Sequence, residues 1–356
     1  MYAADMLLRR LLHLAVQRRI PGNEKEPRLL PGAPSTREWE ECAESLFMHR
    51  IAAPIWSVIL RRGMQAQVPR KVAALLHRHH IQTARTNAEM MDVLEGMLER
   101  LRAAGIEPVL MKGAALLNLV YGDLGARVAQ DVDLLVAGHS RDVVLDVFSS
   151  GGCSIRSRSA DALVFLHETG VVFDVHHRFR LMDACDLDIL VQRTPAPFLA
   201  GRDITVFRPE PMLAALLAHL RGHLPSTGFF LAWILDIALL VERWGAGMDG
   251  EWLQTLLGND ANRRLHGRVM TFLNQELGMP LSPALQPGDP LPGLPDLEAM
   301  NRSRRRALWG LSSPTGLLRL AAGGFARGRR HELPRVRPGD VIRWPLDAWR
   351  EHRSTW

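Results

Sequence analysis

Apolar residues recur at three- and four-residue spacing from the first residues onward, and the period changes twice along the chain. The opening segment MYAADMLLRRLLHLAVQRR is broken by Arg9 and Arg10 and is followed by no small-residue cleavage site. It reads as an amphipathic helix and not as a signal peptide. Ser35-Thr36-Arg37-Glu38 has the pattern of a capping box and starts an apolar-periodic run that reaches Leu60. Two further runs, Val72–Ile81 and Met90–Leu101, keep the helical period. At Gly105 the texture changes. Ile106–Met111 is short, apolar and glycine-bounded, as a strand is; Lys112-Gly113 follows and AALLNLVY predicts a short helix, which Gly122-Asp123-Leu124-Gly125 ends. Asp131–Val136 predicts a half-buried strand, residues 140–148 a helix, and Ala162–His167 with Val171–His176 a hairpin around Glu168-Thr169-Gly170. From Pro209 the helical period returns in PEPMLAALLAHLRGHL and FFLAWILDIALLVERW and continues to about residue 277. The order of elements predicts an α+β fold, a small mixed sheet with helices. It divides the chain into a helical region 1–104, an α/β core 105–205, a C-terminal helical region 206–279, a linker 280–300 with six prolines between Pro280 and Pro295, and a tail 301–356.

Composition narrows the class. With 47% hydrophobic and 23% charged residues in 356 positions, wholesale disorder is excluded, and the length suits about two domains. Cys42, Cys153 and Cys185 are far apart and form no Cys-x-x-Cys pair, which argues against a disulfide framework or a cysteine zinc site and predicts a cytoplasmic protein. No long uncharged apolar run predicts a transmembrane segment. The net charge of +6 belongs to the tail: residues 301–356 hold 13 Arg against 4 acids, and the remainder is slightly acidic. That tail mixes Arg with Leu, Trp and Phe and suits an anionic partner, RNA or a membrane surface. Only three of the 44 basic residues are lysines, Lys25, Lys71 and Lys112, so each lysine invites a specific role.

The chemistry concentrates in the α/β core. Asp131 and Asp133, two apart on a strand, point to one face, and two carboxylates so close call for a cation or for water. A solvated strand end would carry the same pair. Asp174 sits mid-strand among Val171, Val172, Phe173 and Val175, where a carboxylate needs a partner. If the two strands are neighbours, three acids converge and suit two Mg²⁺ ions with a triphosphate. Lys112-Gly113, after the first strand and before a helix, suits a phosphate, with Gly allowing close approach. His176 shares the face of Asp174, and Arg127 lies in the loop before Asp131. His77, His79 and His80 read as a solvated helix face, and His219 with His223 as helix packing.

These residues carry a resemblance. VLMKGAALLNLVYGDLGARVAQDVDLLV, followed by VVFDVHHRF, resembles the uncharacterised nucleotidyltransferase family of the DNA polymerase beta superfamily. The matching positions are Lys112 and Gly113; Tyr121, Gly122 and Arg127; Asp131 and Asp133; Asp174 and His176. His219, His223, Trp233 and Asp236 are similar to the family's C-terminal helices, and the likeness covers roughly residues 35–280. Gly113-Ala114 departs from the superfamily's usual Gly-Ser or Gly-Gly and supplies no hydroxyl. The resemblance implies a polymerase beta-like fold, Mg²⁺ dependence and transfer of a nucleoside monophosphate from an NTP such as ATP. Asp131, Asp133 and Asp174 would be catalytic and metal-binding, and Lys112, Gly113, Arg127 and His176 nucleotide-binding. The acceptor stays open among a small molecule, a peptide or protein, and RNA. A DxD glycosyltransferase using a nucleotide-sugar and a non-catalytic nucleotidyltransferase-like binding protein are the competing readings.

Overall fold

The protein is represented by a computed structural model that describes residues 2–17, 33–179, 181, 185–227 and 230–286. Most of the predicted linker and the whole of the basic tail lie outside the described residues.

Four helices precede the sheet: α1 (Tyr2–Val16), α2 (Thr36–Met48), α3 (Ala52–Arg61) and α4 (Arg70–Ala103). Ser35 caps α2 as its sequence predicts. Its hydroxyl accepts from the Glu38 amide at 3.3 Å, and its own amide donates to the Glu38 carboxylate at 2.6 Å. The run expected to reach Leu60 is two helices, because Pro54 has no amide to donate and fits only the first turn of a new helix. The break falls at Arg50, whose backbone is left-handed with φ 59°. Conversely, the two runs expected after Val72 are one helix of 34 residues. Between them lie only helix-compatible residues, including Thr83 and Asn87, which are buried. The predicted solvated histidine face is mostly a packed one. His80 is buried, the His79 ring meets Phe47 edge-on at 5.0 Å, and His77, though exposed, accepts from the Trp56 indole at 3.3 Å. Burial, with His80 adding to it, pushes His79 down to about 4.

The sheet has seven strands: β1 (Val109–Met111), β2 (Val132–Leu135), β3 (Cys153–Arg158), β4 (Ala162–His167), β5 (Val172–His176), β6 (Val191–Pro195) and β7 (Asp203–Phe207). Their order across the sheet is β3-β4-β5-β2-β1-β7-β6, with β2 parallel to β5, β1 parallel to β7 and the other pairs antiparallel. This is the mixed α+β architecture the pattern predicted, with three strands it did not. Two of those, β3 and β6, are the sheet's edges. Most of their residues face water, so they lack the apolar alternation that marks a strand. Between the strands run α5 (Lys112–Leu116), a π-helical turn at Leu117–Tyr121, α6 (Arg141–Ser150) and α7 (Leu187–Leu190); α8 (Pro209–Thr227), α9 (Leu231–Trp244), α10 (Gly250–Leu257) and α11 (Asp260–Gln275) follow.

One contiguous core joins helices and sheet, from Leu7 and Trp39 through Val132 and Phe173 to Leu240 and Phe272. Helix α4 holds the loop that leads into β2. The Asn87 amide donates to the carbonyls of Leu124 and Arg127, each at 2.6 Å, and accepts from the Ala129 amide at 3.4 Å. Three backbone groups of one irregular loop are thereby satisfied inside the protein. The cysteines are free, with Cys42 and Cys153 buried. Among the described residues no helix is long and apolar enough to cross a membrane.

Candidate active site

The parallel pairing of β2 with β5 decides where the acids meet. Its register sets Asp133 opposite Asp174, while the antiparallel pairing of β1 sets Met111 opposite Asp133 on the other side. Directly paired residues on neighbouring strands point to the same face. Asp133 is 4% exposed; Val132, Leu134 and Leu135 around it are fully buried. Lys112 follows β1 immediately, with φ 46°, a left-handed backbone that is costly for any residue with a Cβ. Its ammonium reaches Asp133 Oδ1 at 2.5 Å. From β5, the His176 Nε2 lies 3.5 Å from the same oxygen and 3.3 Å from Asp174 Oδ2. It stands between two carboxylates without an aligned hydrogen bond to either. The ligand atoms of Asp133, Asp174 and His176 all lie within 4.8 Å of one another.

Electrostatics follow from that crowding. Burial alone would raise the Asp133 carboxyl, but His176 and Lys112 together hold it below the usual carboxylate range. Burial opposes charge on His176, yet Asp133 and Asp174 outweigh it and lift the imidazole to about 9. Lys112 is treated the same way: desolvation disfavours its charge, and Asp133 restores it and more. Asp131 stands one residue before β2, exposed as a residue and outside the tight cluster. Its carboxyl is nevertheless pushed up to about 6, first by desolvation and then by the charge of Asp133.

Beneath this site is a second buried ionic group. Arg127 grips Asp236 of α9 with two bonds, Nε to Oδ1 and Nη2 to Oδ2, both 2.9 Å. The Tyr121 hydroxyl donates to the same Oδ1 at 2.7 Å. Desolvation disfavours the charged guanidinium, but Asp236 overcomes this and holds Arg127 above its ordinary value. Gly113 takes its identity from this group. A Cβ at Gly113 would lie 2.5 Å from Arg127 Nη1. The space that a side chain at the turn would fill already holds the guanidinium.

The family profile described as an uncharacterised nucleotidyltransferase matches residues 35–262. The chain belongs to that family. No curated protein matches it. Among solved structures, the antibiotic-resistance factor ANT(2'')-Ia is similar over 48% of this chain and 90% of its own, at 13% identity and a TM-score of 0.39. An antigenic nucleotidyltransferase-like protein from Paracoccidioides brasiliensis is similar over 55% of this chain and 94% of its own, at 21% identity and a TM-score of 0.34.

Of the residues singled out from the nucleotidyltransferase motifs, the fold brings Lys112, Asp133, Asp174 and His176 together and leaves Asp131 at the rim. Arg127 is 18% exposed and committed to Asp236, so it supports the Lys112-Gly113 turn from behind instead of reaching out as a free cation. His219 and His223 pack on Trp233, with ring centroids 5.5 and 5.3 Å away, as helix packing predicted. Two contributors escaped the motif reading. Asn87 is a polar residue in the middle of a helix and carries no motif. Arg50 is one of many arginines; it donates to the Gln130 side chain at 2.5 Å, next to Asp131, and lies 4.4 Å over the Phe230 ring. The left-handed backbone that places it there has no signature in the sequence. A cavity of about 670 Å³ lies among Leu14, Arg62, Asn118, Tyr121 and Arg243, and none of the clustered acids lines it.

Proposed function

We propose that the chain transfers a nucleoside monophosphate from an NTP to an acceptor hydroxyl or amine, with release of pyrophosphate. The observation that carries this reading is the direct pairing of Asp133 with Asp174 across two parallel strands, beside the Lys112 ammonium. A divalent cation fits the donor set. Two carboxylates converge across the paired strands, and at the rim the Asp131 carboxyl is pushed up, first by desolvation and then by the negative charge of Asp133. Asp133 and Asp174 would hold Mg²⁺, with Asp131 beside them. Bound there, it supplies neutralisation of the triphosphate and a more acidic acceptor.

The chain's own groups do the rest. Lys112 offers a point charge to the triphosphate, and the Lys112-Gly113 turn is kept in place by Arg127 from below. The acceptor's lone pair attacks the α-phosphorus and forms the new bond to it. The bond from that phosphorus to the bridging oxygen breaks, and pyrophosphate leaves with its electrons. Asp174, at 29% side-chain exposure the more open of the two paired acids, takes the acceptor's proton. The pairing of Asp174 also favours this reading over a DxD glycosyltransferase, in which a third acid on the next strand has no part.

The test is incubation of the protein with each α-labelled NTP, Mg²⁺ and a cell extract as the source of acceptor. Transfer of label with wild type and its loss in Asp133→Asn are expected. Undiminished transfer by Asp133→Asn would overturn the assignment.

A further inference from the structure

Four aromatic rings run in a chain from Arg50 towards Lys112. Arg50 lies 4.4 Å over Phe230, and the Phe230 and Trp233 rings meet edge-on with centroids 5.0 Å apart. Trp233 in turn meets His219 at 5.5 Å and His223 at 5.3 Å, and the two imidazoles are 4.4 Å apart. Phe230 is buried and anchors the row, whereas Trp233, His219 and His223 are each only half-buried. The two ends of the row flank the acids. Arg50 is bonded to Gln130 and close enough to Asp131 to feel its charge. At the other end, burial lowers the basicity of His219 and His223, and the nearby Lys112 lowers it further. Both imidazoles are therefore neutral rings near pH 7, with flat faces suited to stacking.

Nothing in the proposed phosphoryl chemistry needs such a row. A surface that alternates half-open flat rings with a cation at each end is what a nucleotide requires: π-faces for the base and positive charge for its phosphates. The row meets the site at Arg50, which is bonded to Gln130, the chain neighbour of Asp131, and the charges of Lys112 and Asp133 reach His219. It thus adjoins the side of the site that holds Lys112, where the triphosphate would be held.

We infer that Trp233, His219 and His223, closed at one end by Phe230 and Arg50, form the stacking subsite for the planar base of the donor nucleotide. The inference rests on the nucleotidyl-transfer reading and adds to it the side chains that receive the base.

Titration calorimetry on the full chain separates the two. The probes are Mg²⁺ with each of the four NTPs, as analogues that cannot be cleaved between the α and β phosphates, and Mg²⁺ with inorganic tripolyphosphate, which has no base. Wild type is expected to bind both. Trp233→Ala and, separately, His219→Ala should each weaken the preferred NTP by about fivefold or more, the loss of one stacking contact. Tripolyphosphate should bind both variants within about twofold of wild type, and Trp233→Phe should restore NTP binding. Lys112→Ala should weaken both ligands. Circular dichroism and a melting curve establish that each variant is folded. NTP affinity unchanged in both alanine variants, or equal losses for NTP and tripolyphosphate, would overturn the subsite. Failure of wild type to bind either ligand would instead overturn the nucleotidyl-transfer reading on which it rests.

Discussion

Asp236→Ala is the substitution that tests the architecture most sharply. It removes the carboxylate that receives two bonds of 2.9 Å from Arg127 and one of 2.7 Å from Tyr121. The Arg127 guanidinium stays where it is, packed against Gly113, with its charge uncompensated. Both partners are well inside the protein, at 18% and 2% side-chain exposure, so solvent does little to replace the loss. Breaking one partner of a buried ion pair costs about 3–5 kcal/mol, and orphaning the Tyr121 hydroxyl adds about 1 kcal/mol. Against a total stability of roughly 5–15 kcal/mol this is a large fraction. Removing the whole group is a different perturbation. In Tyr121→Phe/Arg127→Met/Asp236→Leu no charge or polar group is left stranded, and the cost should fall to about 2 kcal/mol or less, because apolar replacements of similar volume often match a buried ion pair. Urea unfolding of wild type, Asp236→Ala, Arg127→Met and the triple variant, followed by circular dichroism, measures each term. Strong coupling, with the triple variant more stable than Asp236→Ala, is expected. A loss below about 1 kcal/mol in Asp236→Ala, or a triple variant that loses the sum of its parts, would refute the claim that this pair is a buried, mutually dependent unit.

Two further outcomes follow from other parts of the structure. Gly113→Ala puts a methyl group 2.5 Å from Arg127 Nη1, and Arg127 is pinned at its other two nitrogens; overpacking of this kind costs about 1–3 kcal/mol, and most of it should vanish in an Arg127→Met background. Equal stability of Gly113→Ala and wild type would mean that the guanidinium yields freely. In α11, burial pushes His266, 2% exposed, down to about 4, below its unfolded value near 6.5. The ring is therefore neutral in the folded protein. Its contribution is fully present above pH 6.5 and is lost as the pH falls through 4, to the extent of about 3 kcal/mol. Unfolding free energies measured from pH 7 to pH 4 should decline less steeply in His266→Leu than in wild type, and identical slopes would show that this group does not contribute.

The one-dimensional pattern was enough for whatever depends on near neighbours in the chain. The Ser35 capping box, the Ala162–His176 hairpin and α6 follow from residues within a few positions of one another, and each is where its residues predict it. The Asp-x-Asp strand, the Lys-Gly turn and Asp174 were also legible, since a carboxylate on an apolar strand announces its need for a partner whatever the fold. The identity of that partner was not legible. Only the parallel pairing of β2 with β5 puts Asp174 opposite Asp133, and it brings His176, not Asp131, into the tight cluster.

Edge strands β3 and β6 were hidden because half-solvated positions need no apolar alternation. The deeper gap concerns contacts between residues more than a hundred positions apart. Nothing near Arg127 in the chain announces that α9 supplies Asp236 to it, or that its guanidinium occupies the space a Cβ at Gly113 would need. Local sequence determined which segments are helical, which are extended and which side chains carry charge. The tertiary structure alone decided which charges neutralise one another, because that depends on distance and desolvation, and the chain order encodes neither directly.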